Sequence, residues 1–134
     1  MEAQVQTKKR EMDFNQVHLE IAAWRRVLSF MIEENILQKD RLSQVLKSKT
    51  DTAFLEQSEN FLGRFIRKDA LINMLRSDLY KVEKKLQIRN LQETDLAEIR
   101  QMISKIRHDI MMLERNFCRL MLEFNMLLCE CHTQ

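Results

Sequence analysis

Apolar side chains recur along the last quarter of the chain at alternating steps of three and four residues. Such steps average about 3.5 residues, so these positions stay on one side of an α-helix for roughly five heptads. A helix this long and this one-sided needs a partner that covers its apolar side. The positions are Leu96, Ile99, Ile103, Ile106, Ile110, Leu113, Phe117, Leu120, Phe124, Leu127 and Cys131.

An earlier stretch carries a similar stripe and predicts a helix over about residues 12–47. Near Asn35 and Gln38 the seam positions of this helix become polar. A straight helix has 3.6 residues per turn and drifts out of a 3.5-residue repeat. We therefore expect the apolar residues Ile32, Ile36 and Leu37 to replace the two polar ones in the core.

A third stripe predicts a helix over about residues 52–88, and the helix of the last quarter is predicted over 95–131. Gly63 falls on the outward side of the middle helix. It is either a neutral surface residue or the site of a close contact with another chain.

Polar clusters separate the three predicted helices. Ser48 and Asp51 have the spacing of a capping box, and Asn90 and Asp95 are both candidates for the N-cap of the last helix. The chain has no proline and one glycine, so it lacks the residues that usually turn one strand into the next. This composition predicts an all-α protein.

The three helices have nearly equal lengths of about 54 Å at 1.5 Å per residue. Short connections make consecutive helices antiparallel neighbours, and equal lengths let each seam be covered from end to end. The sequence therefore predicts an up-down-up antiparallel three-helix bundle with long, coiled-coil-like helices. One domain spans residues 12–134 after a mobile segment of residues 1–11, and Trp24, Phe61 and Phe65 join the last helix's seam in its core.

The charges are balanced, with 22 basic and 20 acidic residues interspersed along 134 residues. Without a field of one sign, we expect neither a nucleic acid nor a membrane surface as partner. The most apolar window, 110–128, contains charged residues that a bilayer would reject. The three cysteines and an N-terminus without a signal-peptide core lead us to expect a cytoplasmic protein.

The sequence carries no glycine-rich phosphate-binding motif, no His-Glu-x-x-His motif and no Cys-x-x-Cys motif. The segment Cys129-Glu-Cys-His132 contains good zinc ligands, but Cys129 and Cys131 point about 200° apart on a helix at 3.6 residues per turn. We therefore interpret them as small apolar residues near a terminus. The prediction is a protein that is not an enzyme, with no cofactor, no metal and no small-molecule substrate.

The fragment Arg107-His108-Asp109-Ile110 resembles the phosphoacceptor helix of bacterial phosphorelay histidine kinases and phosphotransferases. That resemblance implies phosphotransfer on a solvent-facing His108, which is kept as the alternative function. The Asn and Leu that usually follow the motif are replaced here by two methionines and Leu113. In its pattern of residue types, the stretch from Trp24 to Asn35 is similar to small bacterial helical proteins. This resemblance implies no activity.

A second apolar set lies behind the seam of the last helix, in its C-terminal half. Four of its positions are separated by seven, four and seven residues, so they line one side of the helix. Three helices leave this side exposed, which predicts an interaction surface covered by a second copy in a homodimer or by a helical partner. The predicted surface consists of Met111, Met112, Cys118, Leu122, Met126 and Cys129, with Met121 and Leu128 on its flank.

Overall fold

The structure, a computed structural model, describes residues 12–48 and 51–133, with side-chain surroundings as far as residue 130. No strand occurs in these two ranges. The predicted mobile segment, residues 1–11, lies outside the described residues.

Three long α-helices make up almost all of the described chain. They pack as an all-α bundle in which α2 lies against both of the other helices, so the predicted fold class is confirmed. None of these helices is long and apolar enough to cross a membrane. The helices are α1 (Phe14–Ser48), α2 (Thr52–Leu86) and α3 (Glu93–Thr133).

Ion pairs between the helices show their directions. Arg25 near the start of α1 pairs with Glu83 near the end of α2, so these helices are antiparallel. Glu20 near the start of α1 pairs with Arg107 in the first half of α3, so α1 and α3 run in the same direction. The pairs between α2 and α3 are again antiparallel and join Arg64 to Glu123 and Lys85 to Glu98.

The first helix begins after an aspartate that caps it. Oδ1 of Asp13 accepts the backbone N–H of Gln16 at 3.1 Å, and the Asp13 carbonyl accepts the N–H of Val17 at 3.0 Å. The bond to Gln16 satisfies one of the N–H groups that the first turn of a helix leaves free, and the bond to Val17 is the first regular bond of the helix. Helix α1 therefore begins at Phe14, two residues after the predicted start.

At the first connection, only one of the two predicted capping residues caps the next helix. Oδ1 of Asp51 accepts the N–H of Ala53 at 3.4 Å, which makes Asp51 the N-cap of α2. Ser48 is instead the last residue of α1, and its hydroxyl donates to the Val45 carbonyl at 3.0 Å. The predicted capping box is therefore wrong, because Ser48 still belongs to α1.

The second connection, residues 87–92, has the predicted length but lies two residues earlier than predicted. Asn90 has a φ of 61°, a left-handed conformation that asparagine adopts more readily than most residues. Helix α3 then begins at Glu93, and the Asp95 carboxylate accepts the backbone N–H of Gln92 at 3.0 Å. Neither predicted N-cap takes that position, since Asn90 makes the turn and Asp95 reaches back to the N-cap residue from inside the helix.

The core is divided into two clusters along the bundle. The larger cluster lies at the end with the α2–α3 connection and combines the first half of α1 with the second half of α2. The smaller cluster lies at the opposite end and is rich in aromatic rings. The Phe124 ring lies 5.4 Å from that of Phe61 and 5.2 Å from that of Phe65. Helix α3 contributes to both clusters and so joins them.

A polar layer separates the two clusters on the α1–α2 side. Asn35 is fully buried, and its amide donates to the Phe65 carbonyl at 3.0 Å and to Oδ1 of Asp69 at 2.7 Å. The Lys39 ammonium donates to the other oxygen of Asp69 at 2.6 Å. Because a buried polar group is costly without partners, this layer fixes one register of α1 against α2.

The expectation that apolar neighbours replace Asn35 and Gln38 in the core is wrong. Both polar residues are buried, whereas Ile36 and Leu37 are 59% and 50% exposed. Of the three apolar neighbours, only Ile32 is half-buried and packs against the larger cluster. The Asn35 amide nitrogen donates two hydrogen bonds and Gln38 accepts one from Arg41 at 2.9 Å, whereas Oδ1 of Asn35 is buried with no hydrogen-bond partner among the described residues. The seam of α1 therefore continues through the polar layer without drifting.

The seam positions of α3 lie in the core with one exception. Leu96, in the first turn, is only half-buried, because few α2 residues remain at that end to cover it. The side chain of Cys131 lies outside the described residues. The buried predicted positions are Trp24, Phe61, Phe65, Ile99, Ile103, Ile106, Ile110, Leu113, Phe117, Leu120, Phe124 and Leu127.

Candidate interaction surface

The predicted apolar set on the back of α3 lies largely in contact with solvent. Met111 is 49% exposed, Met112 37%, Leu122 63% and Met126 58%. The thiols of Cys118 and Cys129 are exposed as well. We call these six residues the α3 apolar surface. An exposed group of large apolar side chains on one helix is typical of a contact with another protein.

Two residues predicted on the flank of this surface belong to the core. Leu128 is only 5% exposed and packs in the aromatic-rich cluster with Leu42 of α1. Met121 is half-buried and packs against both clusters. The expectation that they lie on the exposed side is wrong, because α1 covers a wider arc of α3 than the spacing of apolar residues indicated.

Helix α1 adds exposed apolar residues that the sequence analysis did not assign to the surface. Phe30 is 58% exposed, and Leu37, one heptad later, is half exposed. Their spacing of seven places them on one side of α1. A search of α1 for a second set of apolar residues at helical spacing, like the one made for α3, would have identified Phe30 and Leu37.

An open groove of about 300 Å³ lies between α1 and α3 and joins these two sets of residues. Its buried floor contains Met31 and Phe117, and its rims carry the exposed Phe30 and Cys118. The backbones of α1 and α3 approach each other at far fewer places than either approaches α2. The groove therefore exists because α2 holds the two parallel helices apart on this side.

Opposite charges stand on the two walls of this groove. Arg26 lines it from α1 and Glu114 lines it from α3, and both are exposed. Elsewhere along the same side, Arg107 of α3 bonds both carboxylate oxygens of Glu20 at 2.9 Å and stacks 6.0 Å from the ring of Trp24. An ion pair thus bridges α1 and α3 at the height of Glu20, whereas a groove separates the two helices at the height of Arg26.

A second groove, of about 470 Å³, lies between α1 and α2 and is polar. Its walls carry Ser29, Asn73, Arg76 and Tyr80, together with Arg25. Arg25 is already paired with Glu83. Its polar lining distinguishes it from the apolar groove between α1 and α3.

His108 of the Arg-His-Asp fragment lies on the exposed side of α3. The preceding Arg107 is engaged with Glu20, and Asp109 is half-buried. Exposure alone is common for a histidine on a bundle helix, so the phosphoacceptor role of His108 stays a prediction.

Within the described residues, no group of three or more His, Cys, Asp or Glu side chains is placed to hold a metal ion. The side chains of Cys131 and His132, which complete the Cys-Glu-Cys-His segment, are outside the described part.

One titratable group on α2 is shifted by its surroundings. Partial burial lowers the pKa of the Lys68 ammonium, and the positive charges of Arg64 and Arg67 lower it further. The positive charge of Lys68 is disfavoured because its side chain is partly buried and because two other cations, Arg64 and Arg67, lie on the same helix.

Comparisons of the chain with protein-family models, with curated proteins and with solved structures find no match.

Proposed function

We propose that this is a non-enzymatic helical-bundle protein that acts by binding protein through its outer helical faces, and that its partner is a second copy of the same chain. The observation that carries the proposal is the exposure of the α3 apolar surface. Core packing of α1 and α2 against α3 uses the opposite side of that helix, so the α3 apolar surface has no role in the fold of one chain.

The energetics favour a covered surface. Burying a Leu or Met side chain contributes about 1.5–3 kcal/mol relative to leaving it in water. Four such side chains on the α3 apolar surface are more than a third exposed. Methionine also adapts its shape to a partner, which suits a contact between helices.

A reducing compartment such as the cytoplasm is part of the proposal. Cys118 and Cys129 are both exposed on the α3 apolar surface. Reduced thiols keep this surface apolar, whereas oxidation would cross-link or polarise it.

Light scattering behind a sizing column tests the proposal. We expect wild type at twice the chain mass of 16.2 kDa and the Met112→Glu, Leu122→Glu double variant at the mass of one chain. Two carboxylates on the α3 apolar surface would be desolvated without partners in the dimer, and this cost exceeds the gain from the contact.

A matched control carries the same two new charges on α2 instead of α3. Gln57→Glu with Asn60→Glu changes exposed residues away from the α3 apolar surface. This variant should remain dimeric. Monomeric wild type would contradict self-association, and loss of dimer in the control would show that charge rather than location is responsible.

A further inference from the structure

We propose that the second copy binds at the groove between α1 and α3, about a two-fold axis parallel to the helices. In this arrangement Arg26 of each copy pairs with Glu114 of the other. The inference rests on the self-association proposed above and adds to it the contact site, the orientation of the copies and the residues that select it.

The first observation is that the apolar surface continues across the groove. Because α1 and α3 are parallel, the pair Glu20–Arg107 and the contact of Arg41 with Asn125 define which residues lie at equal height. On that scale Phe30 lies level with Cys118, as their shared groove also shows. The exposed side chains of α1 and those of α3 therefore form one apolar surface.

The second observation is that the groove carries a pair of unused opposite charges. Arg26 and Glu114 line opposite walls, yet neither takes part in any hydrogen bond or ion pair within the described residues. Several neighbouring charges do have partners, including Arg25 and Arg107. A partner that presents a negative group to Arg26 and a positive group to Glu114 at the same height would complement the groove.

A second copy supplies this complement by symmetry. A two-fold axis parallel to the helices places α1 of one copy against α3 of the other and keeps each residue at its own height. Arg26 then faces Glu114 of the second copy, and Glu114 faces the second Arg26. An axis perpendicular to the helices would instead place α1 against α1 in the opposite direction and leave Arg26 away from Glu114.

Charge reversal tests this arrangement. In the Arg26→Glu dimer two carboxylates would face each other at both contacts, and in the Glu114→Arg dimer two guanidinium groups would do so. We therefore expect each variant to weaken dimerisation by roughly tenfold or more at low salt. The double variant Arg26→Glu, Glu114→Arg exchanges the charges and should dimerise like wild type. An equimolar mixture of the two single variants should form a heterodimer.

The measurement is the dimer dissociation constant by sedimentation equilibrium, with mixed dimers identified by native mass spectrometry. Arg67→Glu and Glu59→Arg make the same charge changes at exposed positions of α2 and should leave the constant unchanged. Circular dichroism of every variant verifies that the helices are intact.

The outcomes separate this inference from the proposed function. Suppose that wild type dimerises. If the single variants have the same dissociation constant as wild type, or if the double variant does not restore the wild-type constant, the groove contact is wrong and self-association still stands. Wild type that is monomeric throughout would overturn both. Restored dimerisation in the double variant and in the mixture supports a two-fold axis parallel to the helices, because residue 26 faces residue 114 of the other copy only in that arrangement.

Discussion

The two sides of α3 resemble each other in sequence and differ in their surroundings. Both carry large apolar residues at helical spacing, yet Phe124 on the inner side is fully buried and Leu122, two residues earlier, is 63% exposed. The inner side is covered by α1 and α2. The chain thus carries more apolar surface than its own three helices cover, with large apolar side chains exposed on all three helices and, on α3, aligned along one side.

The largest effect is expected on the inner side. Phe124→Ala should lower the free energy of unfolding by about 3–5 kcal/mol, because it leaves a cavity among the rings of Phe61 and Phe65. Leu122→Ala should change the unfolding of the isolated chain by less than about 0.5 kcal/mol, as for other exposed positions.

Urea denaturation at low protein concentration measures this comparison. Low concentration matters because dimerisation stabilises the folded chain by mass action. Equal midpoints for the Phe124 and Leu122 variants would contradict the assignment of the two sides.

An intermediate effect is expected in the polar layer. Asn35→Ala removes two hydrogen bonds and leaves Asp69 with the Lys39 ammonium alone. We expect a loss of about 1–3 kcal/mol in the free energy of unfolding, again by urea denaturation. Gln57→Ala, at an exposed position of α2, is the control. A variant as stable as wild type would show that Asn35 contributes no net stability to the α1–α2 contact.

A smaller and opposite effect is expected at the only glycine of the sequence. A Cβ at Gly63 would meet only the end of the Arg67 side chain, at an ordinary 3.7 Å. Gly63→Ala should therefore raise the free energy of unfolding by up to about 1 kcal/mol through helix propensity. Thermal denaturation measures the gain. A lower midpoint would indicate that another chain approaches this position, the alternative that the sequence left open.

No effect is expected at His108. Incubation with acetyl phosphate should give no acid-labile, base-stable phosphoryl label above that of His108→Gln. A label that disappears in the variant would favour the phosphotransfer alternative over the interaction proposal, so the result distinguishes two classes of function.

The periodicity of apolar residues was sufficient to predict the three helices, the antiparallel order and nearly the whole α3 seam. It could not predict the arc of each helix that its neighbours cover. That arc depends on the distances between helices, so Leu128 was placed outside although α1 buries it. The spacing of apolar residues also contains no information on hydrogen bonds between helices. Such bonds keep Asn35 in the core, whereas Leu37 faces solvent.

The candidate site was predictable on one helix only. The spacing identified the α3 apolar surface, whereas Phe30 and the charges of Arg26 and Glu114 belong to a groove that α1 and α3 form together. Their approach across about 90 residues of sequence follows from the parallel packing of α1 and α3 on α2. No pattern within either helix contains that information.

The most direct test of the account is the mass of the wild-type protein in solution over a concentration series by sedimentation equilibrium. We predict a reversible transition from one chain to two, complete at tens of micromolar, with the α3 apolar surface covered in the dimer. A protein that stays at 16.2 kDa throughout that range would contradict the central claim that a second copy covers this surface.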